Sequence, residues 1–160
     1  MMDKMGGMLR YGIPQYRLPK EVLDSEIKII EKTGVRFCNN VKLGRDITIE
    51  NLKSVNDAVI LAPGAWKSTP MRVKGEDTQG VYGGIDFLRS VIQGKAVEIG
   101  EKVAVCGGGN TAMDACRTAV RLGAKEVYVI YRRTEKEMPA EEIEIKESKE
   151  EGVTYKFLTN

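Results

Sequence analysis

Two short apolar runs, separated by a glycine turn and a helix-like stretch, form the clearest pattern in this 160-residue chain. The first run, Lys102–Cys106, reads KVAVC, and the second, Glu126–Tyr131, reads EVYVIY. Apolar runs of this length, bounded by turn residues, are typical of buried strands. A helix-like segment over residues 111–122 lies between them. The pattern therefore predicts a strand, a glycine turn, a helix and a second strand.

The rest of the chain also alternates between helical and extended patterns. Apolar residues recur at helical spacing after Lys20, and Gly34 is the natural end of that helix. Thr48 is a typical N-cap residue for a short helix. In chain order the patterns predict a loop over residues 6–19, the helix from Lys20, a strand over 35–38, a helix over 48–54, a strand over 58–61, a helix over 85–92, a charged helix with Pro139 at its first position, and a last strand over 153–158.

This alternation predicts an α/β fold with a mostly parallel sheet. Residues 102–158 supply a βαβαβ half of a Rossmann-like dinucleotide-binding fold. The first part of the chain supplies too few strands for a sheet of its own, and the last predicted strand ends close to the terminus at Asn160. We therefore expect a chain that is truncated from a larger protein.

The glycine turn fits the geometry that a dinucleotide requires. Gly107, Gly109 and Ala112 match the pattern G-x-G-x-x-G/A, which combines a tight turn, a backbone open to pyrophosphate and a closely packed helix. The helix start presents free N–H groups to phosphate, although the side chains of Asn110 and Thr111 serve equally well as helix caps. The alternative to a dinucleotide-binding site is an ordinary glycine-rich turn between a strand and a helix. The predicted pyrophosphate contacts are Gly107, Gly108, Gly109, Asn110 and Thr111.

The end of the second strand predicts which dinucleotide binds. An NAD site places Asp or Glu at this point for the ribose 2′-hydroxyl, whereas this chain has Arg132 and Arg133, which suit a 2′-phosphate. We therefore predict an NADPH site, against the alternative of two solvated surface arginines. Tyr131 either flanks the adenine or is an ordinary strand tyrosine, and Lys136 adds charge nearby.

Composition excludes several classes of function. A net charge of +2, with 42% apolar and 30% charged residues, gives no reason to expect a nucleic-acid or membrane partner. The N-terminus lacks the apolar core of a signal peptide, so we expect a cytoplasmic protein. The chain has no histidine, and its three cysteines have no metal-ligand spacing. We therefore predict neither a metal site nor a catalytic side chain.

Several residues have simpler interpretations. Cys38, Cys106 and Cys116 are expected to be buried, unreactive thiols. Asp114 and Arg117 lie three residues apart on a helix, which predicts a surface ion pair. The absence of histidine and of a cysteine pair disfavours hydroxy-acid dehydrogenation and dithiol chemistry, but not hydride transfer to a flavin, which needs little from protein side chains.

Four segments resemble a known family: GGMLRYGIPQYRLPKEVLDSEI, DAVILAPGAW, VCGGGNTAMDACRTAVRLGA and YRRTEKEMPA. They are similar to the small (beta) subunit of NADPH-dependent glutamate synthase and its flavoprotein relatives, which include an electron-bifurcating transhydrogenase subunit and part of dihydropyrimidine dehydrogenase. The resemblance implies an FAD-binding domain interrupted by an NADPH-binding domain. Residues 1–80 would be a remnant of the first FAD segment, and residues 81–160 would be the N-terminal half of the NADPH domain.

The resemblance also implies the route of the electrons. They would pass from NADPH to FAD, and then through iron–sulfur clusters to the glutamate synthase large subunit or to another electron-accepting subunit. The family's cluster-binding region and its FAD glycine motif have no counterpart in this sequence, so we expect this fragment to hold no FAD and to be inactive alone. The alternatives are a ferredoxin-linked or pyrimidine-reducing relative, and a non-catalytic NADPH-binding regulatory module.

The family's YGIP-x-YRLPK segment lies near the flavin, according to the same resemblance. In this chain it carries Arg10, Tyr16, Arg17 and Lys20. Without an FAD half-domain, we expect these four residues to serve only the structure of their own loop.

Overall fold

The computed structural model describes residues 2–159, which form two compact units that divide between Trp66 and Lys67. The family resemblance instead divides the chain between residues 80 and 81, according to which domain of the family each segment corresponds to. That division stays a prediction. Each unit is described by itself below.

The first unit contains three helices, α1 (Gly7–Tyr11), α2 (Lys20–Lys32) and α3 (Ile49–Val55). Helix α2 begins where the sequence predicts it, and Gly34 adopts a φ of 94° just beyond its end, a conformation that favours glycine. Thr48 caps α3 through a capping box with Asn51, as its position predicts. The predicted loop over residues 6–19 instead contains α1.

The two strands predicted in this unit are wrong. Residues 35–38 and 58–61 form no strand in the structure. Ile60 is 89% exposed and Leu61 is 60% exposed, so this apolar run packs against little of the described chain. A strand is defined by hydrogen bonds to a neighbour, and no described segment pairs with either run.

The second unit builds the predicted βαβαβ arrangement. Its elements in chain order are α4 (Gly84–Ile92), β1 (Lys102–Cys106), α5 (Asn110–Arg121), β2 (Glu126–Tyr131), α6 (Glu142–Glu150) and β3 (Thr154–Phe157). The three strands are parallel in the order β1-β2-β3, with Val103 opposite Val127 and Val129 opposite Tyr155. Both predicted strand boundaries of β1 and β2 are confirmed, and α5 begins one residue earlier than predicted.

Helix α6 begins later than the proline pattern predicts. Pro139 precedes the first helical residue, Glu142, by three positions, and a 3₁₀ turn (Glu135–Glu137) lies before it. The backbone N–H of Ala140 donates to the carbonyl of Gly108 at 3.1 Å, so the chain stays extended here to reach the glycine turn. The interpretation of Pro139 as the first residue of the helix is therefore wrong.

The core of this unit lies between α5 and the sheet. Met113 and Cys116 of α5 are fully buried, as is Val129 of the central strand β2. Burying side chains of this size stabilises the fold by about 1.5–3 kcal/mol each. Phe87 and Leu88 of α4 pack against Ala115 of α5. Helix α5 is therefore held both by the sheet and by α4, which fixes the glycine turn at its start.

The charged residues of α5 are also placed differently from the prediction. Arg117 is buried rather than on the surface, and its guanidinium contacts Glu144 at 2.5 Å, Glu147 at 2.7 Å and Glu151 at 2.8 Å. Asp114 is buried too. A buried guanidinium needs carboxylate partners, and those on α6 tie the two helices together. The predicted location of Asp114 and Arg117 on the surface is therefore wrong.

Two of the three cysteines are not buried. Cys38 is exposed because its segment joins no sheet, and Cys106 is exposed because it shares the outward face of β1 with Lys102 and Ala104. Cys116 is buried as predicted, and burial raises its pKa to about 12. Within residues 2–159, no helix is long and apolar enough to cross a membrane.

Candidate functional site

The sequence-predicted residues meet at the carboxyl ends of β1 and β2. Gly107 directly follows β1, and its N–H donates to the carbonyl of Ile130 in β2 at 3.0 Å. Because the two strands are parallel, the glycine turn after one and the arginines after the other leave the same edge of the sheet. Ligands of open α/β sheets bind at this edge.

The three consecutive glycines lie in three different environments. Gly107 has a φ of 137°, which side chains rarely tolerate. A Cβ on Gly108 would lie 2.8 Å from two ring atoms of Tyr131, so a side chain there would have to displace the ring. Gly109 has an extended φ of −95°, and a Cβ there would meet only Pro139, at 3.9 Å. Folding of the described chain therefore requires no glycine at position 109, whereas close approach of a phosphate does.

The start of α5 is open in the manner of an anion site. Gly109 is its N-cap residue, and no described side chain caps this end. The side chain of Asn110 accepts a hydrogen bond from the N–H of Glu141 at 2.9 Å, so it holds the segment before α6 rather than capping its own helix. Thr111 is exposed at the same end. The backbone N–H groups and the helix dipole therefore face the edge of the sheet.

Arg132 and Arg133 are exposed, and neither guanidinium forms a hydrogen bond or ion pair with a residue that the structure describes. The carboxylates nearest in sequence have other partners. Glu135 pairs with Lys149 at 2.6 Å, and Glu137 accepts the N–H of Thr134 at 2.8 Å. Hydrogen bonds from the N–H and the hydroxyl of Thr134, with the nearby positive charge of Arg133, lower the pKa of Glu137. Both guanidinium groups are therefore available to a ligand.

Tyr131 contacts the glycine turn. Its ring lies against Gly108, and its hydroxyl donates to the carbonyl of Glu137 at 2.8 Å. Thr134 and Glu137 form a capping box around the 3₁₀ turn between them. Sequence reasoning missed this turn, although the T-x-x-E spacing of TEKE is the signature of a capping box. The arginine-bearing segment is therefore an ordered turn.

The residues of the YGIP-x-YRLPK segment make contacts within the first unit. Arg10 is buried and binds Asp24 and the carbonyl of Met5. The ammonium of Lys20 donates to the carbonyls of Leu9 at 2.8 Å and Ile13 at 2.6 Å. Tyr16 and Arg17 have interactions of their own. Among the described residues, no group of three or more acidic or cysteine side chains could hold a metal ion.

Comparisons with known proteins agree with this geometry. The family model for pyridine nucleotide-disulphide oxidoreductase matches residues 8–160. The NADPH-Fe(3+) oxidoreductase subunit beta of Geobacter sulfurreducens is 49% identical to the chain, the NADP(+)-dependent formate dehydrogenase subunit beta of Moorella thermoacetica is 46% identical, and the glutamate synthase (NADPH) small chain of Escherichia coli is 39% identical.

These alignments cover nearly all of this chain but a minor part of each relative. They include 95%, 97% and 96% of the chain, and 23%, 22% and 35% of the three relatives in the same order. The chain therefore spans well under half the length of these curated relatives. The predicted resemblance to the glutamate synthase small chain is confirmed.

Solved structures give the same fold. FprA, an oxidoreductase of Mycobacterium tuberculosis, matches with a TM-score of 0.76 at 25% identity, over 95% of this chain and 40% of FprA. The FprA complex with NADPH matches with a TM-score of 0.78 at 24% identity, over the same shares of the two chains, and shows the fold alone. The predicted α/β fold class is confirmed.

Proposed function

The chain belongs to the pyridine nucleotide-disulphide oxidoreductase family, and from that premise we propose that it forms the NADPH-binding part of a flavin-dependent oxidoreductase. One observation carries the proposal. At the carboxyl ends of two neighbouring parallel strands, β1 is followed by a glycine where an added Cβ would meet only Pro139, at 3.9 Å, and β2 is followed by two exposed arginines whose guanidinium groups form no hydrogen bond or ion pair with a described residue. The relatives that are named for NADPH or NADP(+) support the same choice of cofactor.

The glycine turn would hold the pyrophosphate. The bare backbone of Gly109 lets phosphate oxygens approach, and the N–H groups at the start of α5 donate to them. The dipole of this 12-residue helix adds partial positive charge at the same end. Gly107 contributes through its positive φ, which turns the chain from β1 into the helix.

Arg132 and Arg133 would bind the 2′-phosphate that distinguishes NADPH from NADH. A guanidinium donates paired, charge-assisted hydrogen bonds to phosphate, and each such bond is worth roughly 1.5–3 kcal/mol before solvent exposure and salt reduce it. NADH offers a neutral hydroxyl instead. The arginines would therefore select NADPH over NADH, and they would contribute little to binding the rest of the dinucleotide, which the two cofactors have in common.

The reaction itself asks little of this chain. NADPH would supply a hydride and FAD would accept it, so the protein would have only to position the cofactors and exclude water. The described part of the first unit shows no glycine turn at a strand end that could receive the FAD pyrophosphate. We therefore propose that none of these residues holds FAD. It would be bound by the part of the relatives' architecture that this chain does not span.

A partner subunit would take the electrons onward. Relatives from 35% to 49% identical carry the names small chain or subunit beta, which supports an assembly of more than one subunit. Their names point to ferric iron, formate and glutamate synthesis, so we propose an electron-accepting subunit without fixing which one. The glutamate synthase large subunit is one candidate. A ferredoxin-linked transhydrogenase or a dihydropyrimidine dehydrogenase relative would supply others.

The proposal is tested by titrating the chain with NADPH and NADH in a calorimeter, comparing Gly109→Ala with Gly100→Ala. Both changes add one methyl group, and in both cases the new Cβ keeps ordinary distances from the chain, at 3.9 and 3.6 Å. Gly100 precedes β1 at the opposite end of the strand. We expect wild type and Gly100→Ala to bind NADPH alike, and Gly109→Ala to lose about tenfold or more for both cofactors.

Unchanged binding by a folded Gly109→Ala variant would remove the pyrophosphate from this turn. Absence of NADPH binding by the wild type would contradict the proposal as a whole. NADPH binding without any oxidation, in a longer protein that contains bound flavin, would favour a regulatory module over an enzyme.

A further inference from the structure

The ring of Tyr131 occupies the space where Gly108 would carry a side chain. A Cβ on Gly108 would lie 2.8 Å from Cδ2 and Cε2 of the ring and 3.1 Å from Cζ. A Cβ essentially never lies within 3.0 Å of another heavy atom, so a side chain at Gly108 would have to displace the half-buried ring, which its hydroxyl holds in place. The ring is therefore packed against the glycine turn itself, at the residue between Gly107 and Gly109.

The hydroxyl of Tyr131 contacts the second part of the site, the segment after β2 that carries the two arginines. It donates to the carbonyl of Glu137 at 2.8 Å, while the Glu137 carboxylate accepts from the N–H and hydroxyl of Thr134 at 2.8 and 2.9 Å. The N–H of Ala140 completes the connection, with a 3.1 Å bond to the carbonyl of Gly108. Residues 132–138, here called the arginine segment, are thus tied to the glycine turn at both ends.

We propose that Tyr131 is a positioning residue that fixes the arginine segment relative to the glycine turn, and so sets the spacing of the two phosphate groups that the site accepts. The proposal rests on the function proposed above. Tyr131 acts through Gly108 and Glu137 and does not itself bind the ligand. This differs from the adenine contact that the sequence suggests, because the ring faces the protein backbone.

The physical consequence concerns only ligands that span both halves. A ligand with a pyrophosphate and a 2′-phosphate loses affinity when the two contacts move independently, because the site must then be ordered as it binds. NADH reaches only the glycine turn. Adenosine 2′-monophosphate reaches only the arginine segment. Loosening the link between the halves should therefore weaken NADPH selectively.

The test removes the hydroxyl and keeps the ring. Tyr131→Phe preserves the packing on Gly108 and deletes the bond to Glu137. Tyr128→Phe is the matched control: it lies on the same strand, and its hydroxyl also donates to a glutamate, Glu126, at 2.5 Å. Binding of NADPH, NADH and adenosine 2′-monophosphate to the full chain is measured by calorimetry, with amide hydrogen exchange of residues 134–137 as a second readout.

We expect Tyr131→Phe to weaken NADPH about fivefold, the loss of one neutral hydrogen bond, and to leave the other two ligands within about twofold. Exchange of the amides in residues 134–137 should accelerate, and Tyr128→Phe should match wild type throughout. Equal losses for NADPH and NADH would overturn the proposal, since Tyr131 would then act on the part of the dinucleotide that is common to both cofactors. Unchanged NADPH affinity with unchanged exchange would also overturn it.

Failure of the proposed function has a different signature. The wild type would then bind no dinucleotide at all, and the role of Tyr131 would fall with it. A wild type that binds NADPH while Tyr131→Phe behaves identically refutes only the positioning role.

Discussion

The apolar run at residues 58–61 and the apolar run of β2 are similar in composition, yet only the second forms a strand. Strand β2 lies between β1 and β3 and beneath α5, so its backbone has a hydrogen-bonded neighbour on each side and Val127 and Val129 are buried in the core. The first run has no neighbouring strand within residues 2–159, and all of its side chains except that of Val59 are exposed. A strand therefore depends on what the rest of the chain supplies as well as on its own residues.

The same contrast separates the two units. The second unit combines a parallel sheet, a buried helix and charged pairs between α5 and α6. The first unit has helices without a sheet, and several of its aliphatic side chains are exposed: Val22, Ile29, Ile30, Val35, Val41, Leu43, Val55, Ile60 and Leu61. The proposed binding site lies entirely in the second unit. We therefore expect stability and binding to be properties of that unit.

Amide hydrogen exchange should show the largest difference between the two apolar runs. Amides of β2 exchange only through opening of the core, whereas those of residues 58–61 have no strand partner. A stability of about 5 kcal/mol corresponds to a difference of roughly 5,000-fold in rate. Mass spectrometry of peptides from both regions measures it. Similar protection of the two runs would mean that residues 58–61 have a partner in solution.

Thiol alkylation should divide the cysteines in the same way. Burial raises the pKa of Cys116 to about 12, while Cys38 and Cys106 are exposed. At pH 8, a thiol with that pKa carries about a thousandfold less thiolate than an ordinary one. Because the pKa is raised, Cys116 should gain reactivity only as the pH approaches 12 or as the core unfolds. Fast modification of Cys116 in the folded chain at pH 8 would contradict its burial.

Truncating one apolar side chain in each unit should have unequal costs. Met113→Ala leaves a cavity beneath the sheet and should lower the free energy of unfolding by about 2–5 kcal/mol. Ile60→Ala removes an exposed side chain and should stay within about 0.5 kcal/mol of wild type. Urea denaturation measures both. A large cost for Ile60→Ala would show that its segment is packed.

The sequence predicts local elements well where their partners are close in the chain. The boundaries of β1 and β2 follow from apolar runs, and Thr48 marks α3 because a helix cap is a local signal. The start of α6 could not be predicted in this way. The N–H groups of Ala140 and Glu141, just before α6, donate to oxygens of Gly108 and Asn110, about thirty positions earlier in the chain.

Side-chain roles show the same limit. The glycine pattern correctly indicates a tight turn. It does not show that the ring of Tyr131 occupies the space that a side chain at position 108 would need. The spacing of Asp114 and Arg117 suggests a surface pair, whereas Arg117 is drawn inward by glutamates of a helix that follows much later. Such roles depend on packing between distant segments, which no local pattern encodes. That the glycine turn and the arginines bind NADPH stays a prediction.

The most direct test of that prediction is to titrate NADPH and NADH into wild type, Arg132→Ala and Arg121→Ala. Arg121 lies in the last turn of α5, at the end opposite the glycine turn, and pairs with Glu151, so it controls for loss of an arginine. We predict that Arg132→Ala weakens NADPH about tenfold or more and leaves NADH unchanged, with a difference that shrinks as salt rises. Arg121→Ala should leave both affinities unchanged. Equal losses for NADPH and NADH in Arg132→Ala, or none, would contradict the assignment of this edge of the sheet as an NADPH site.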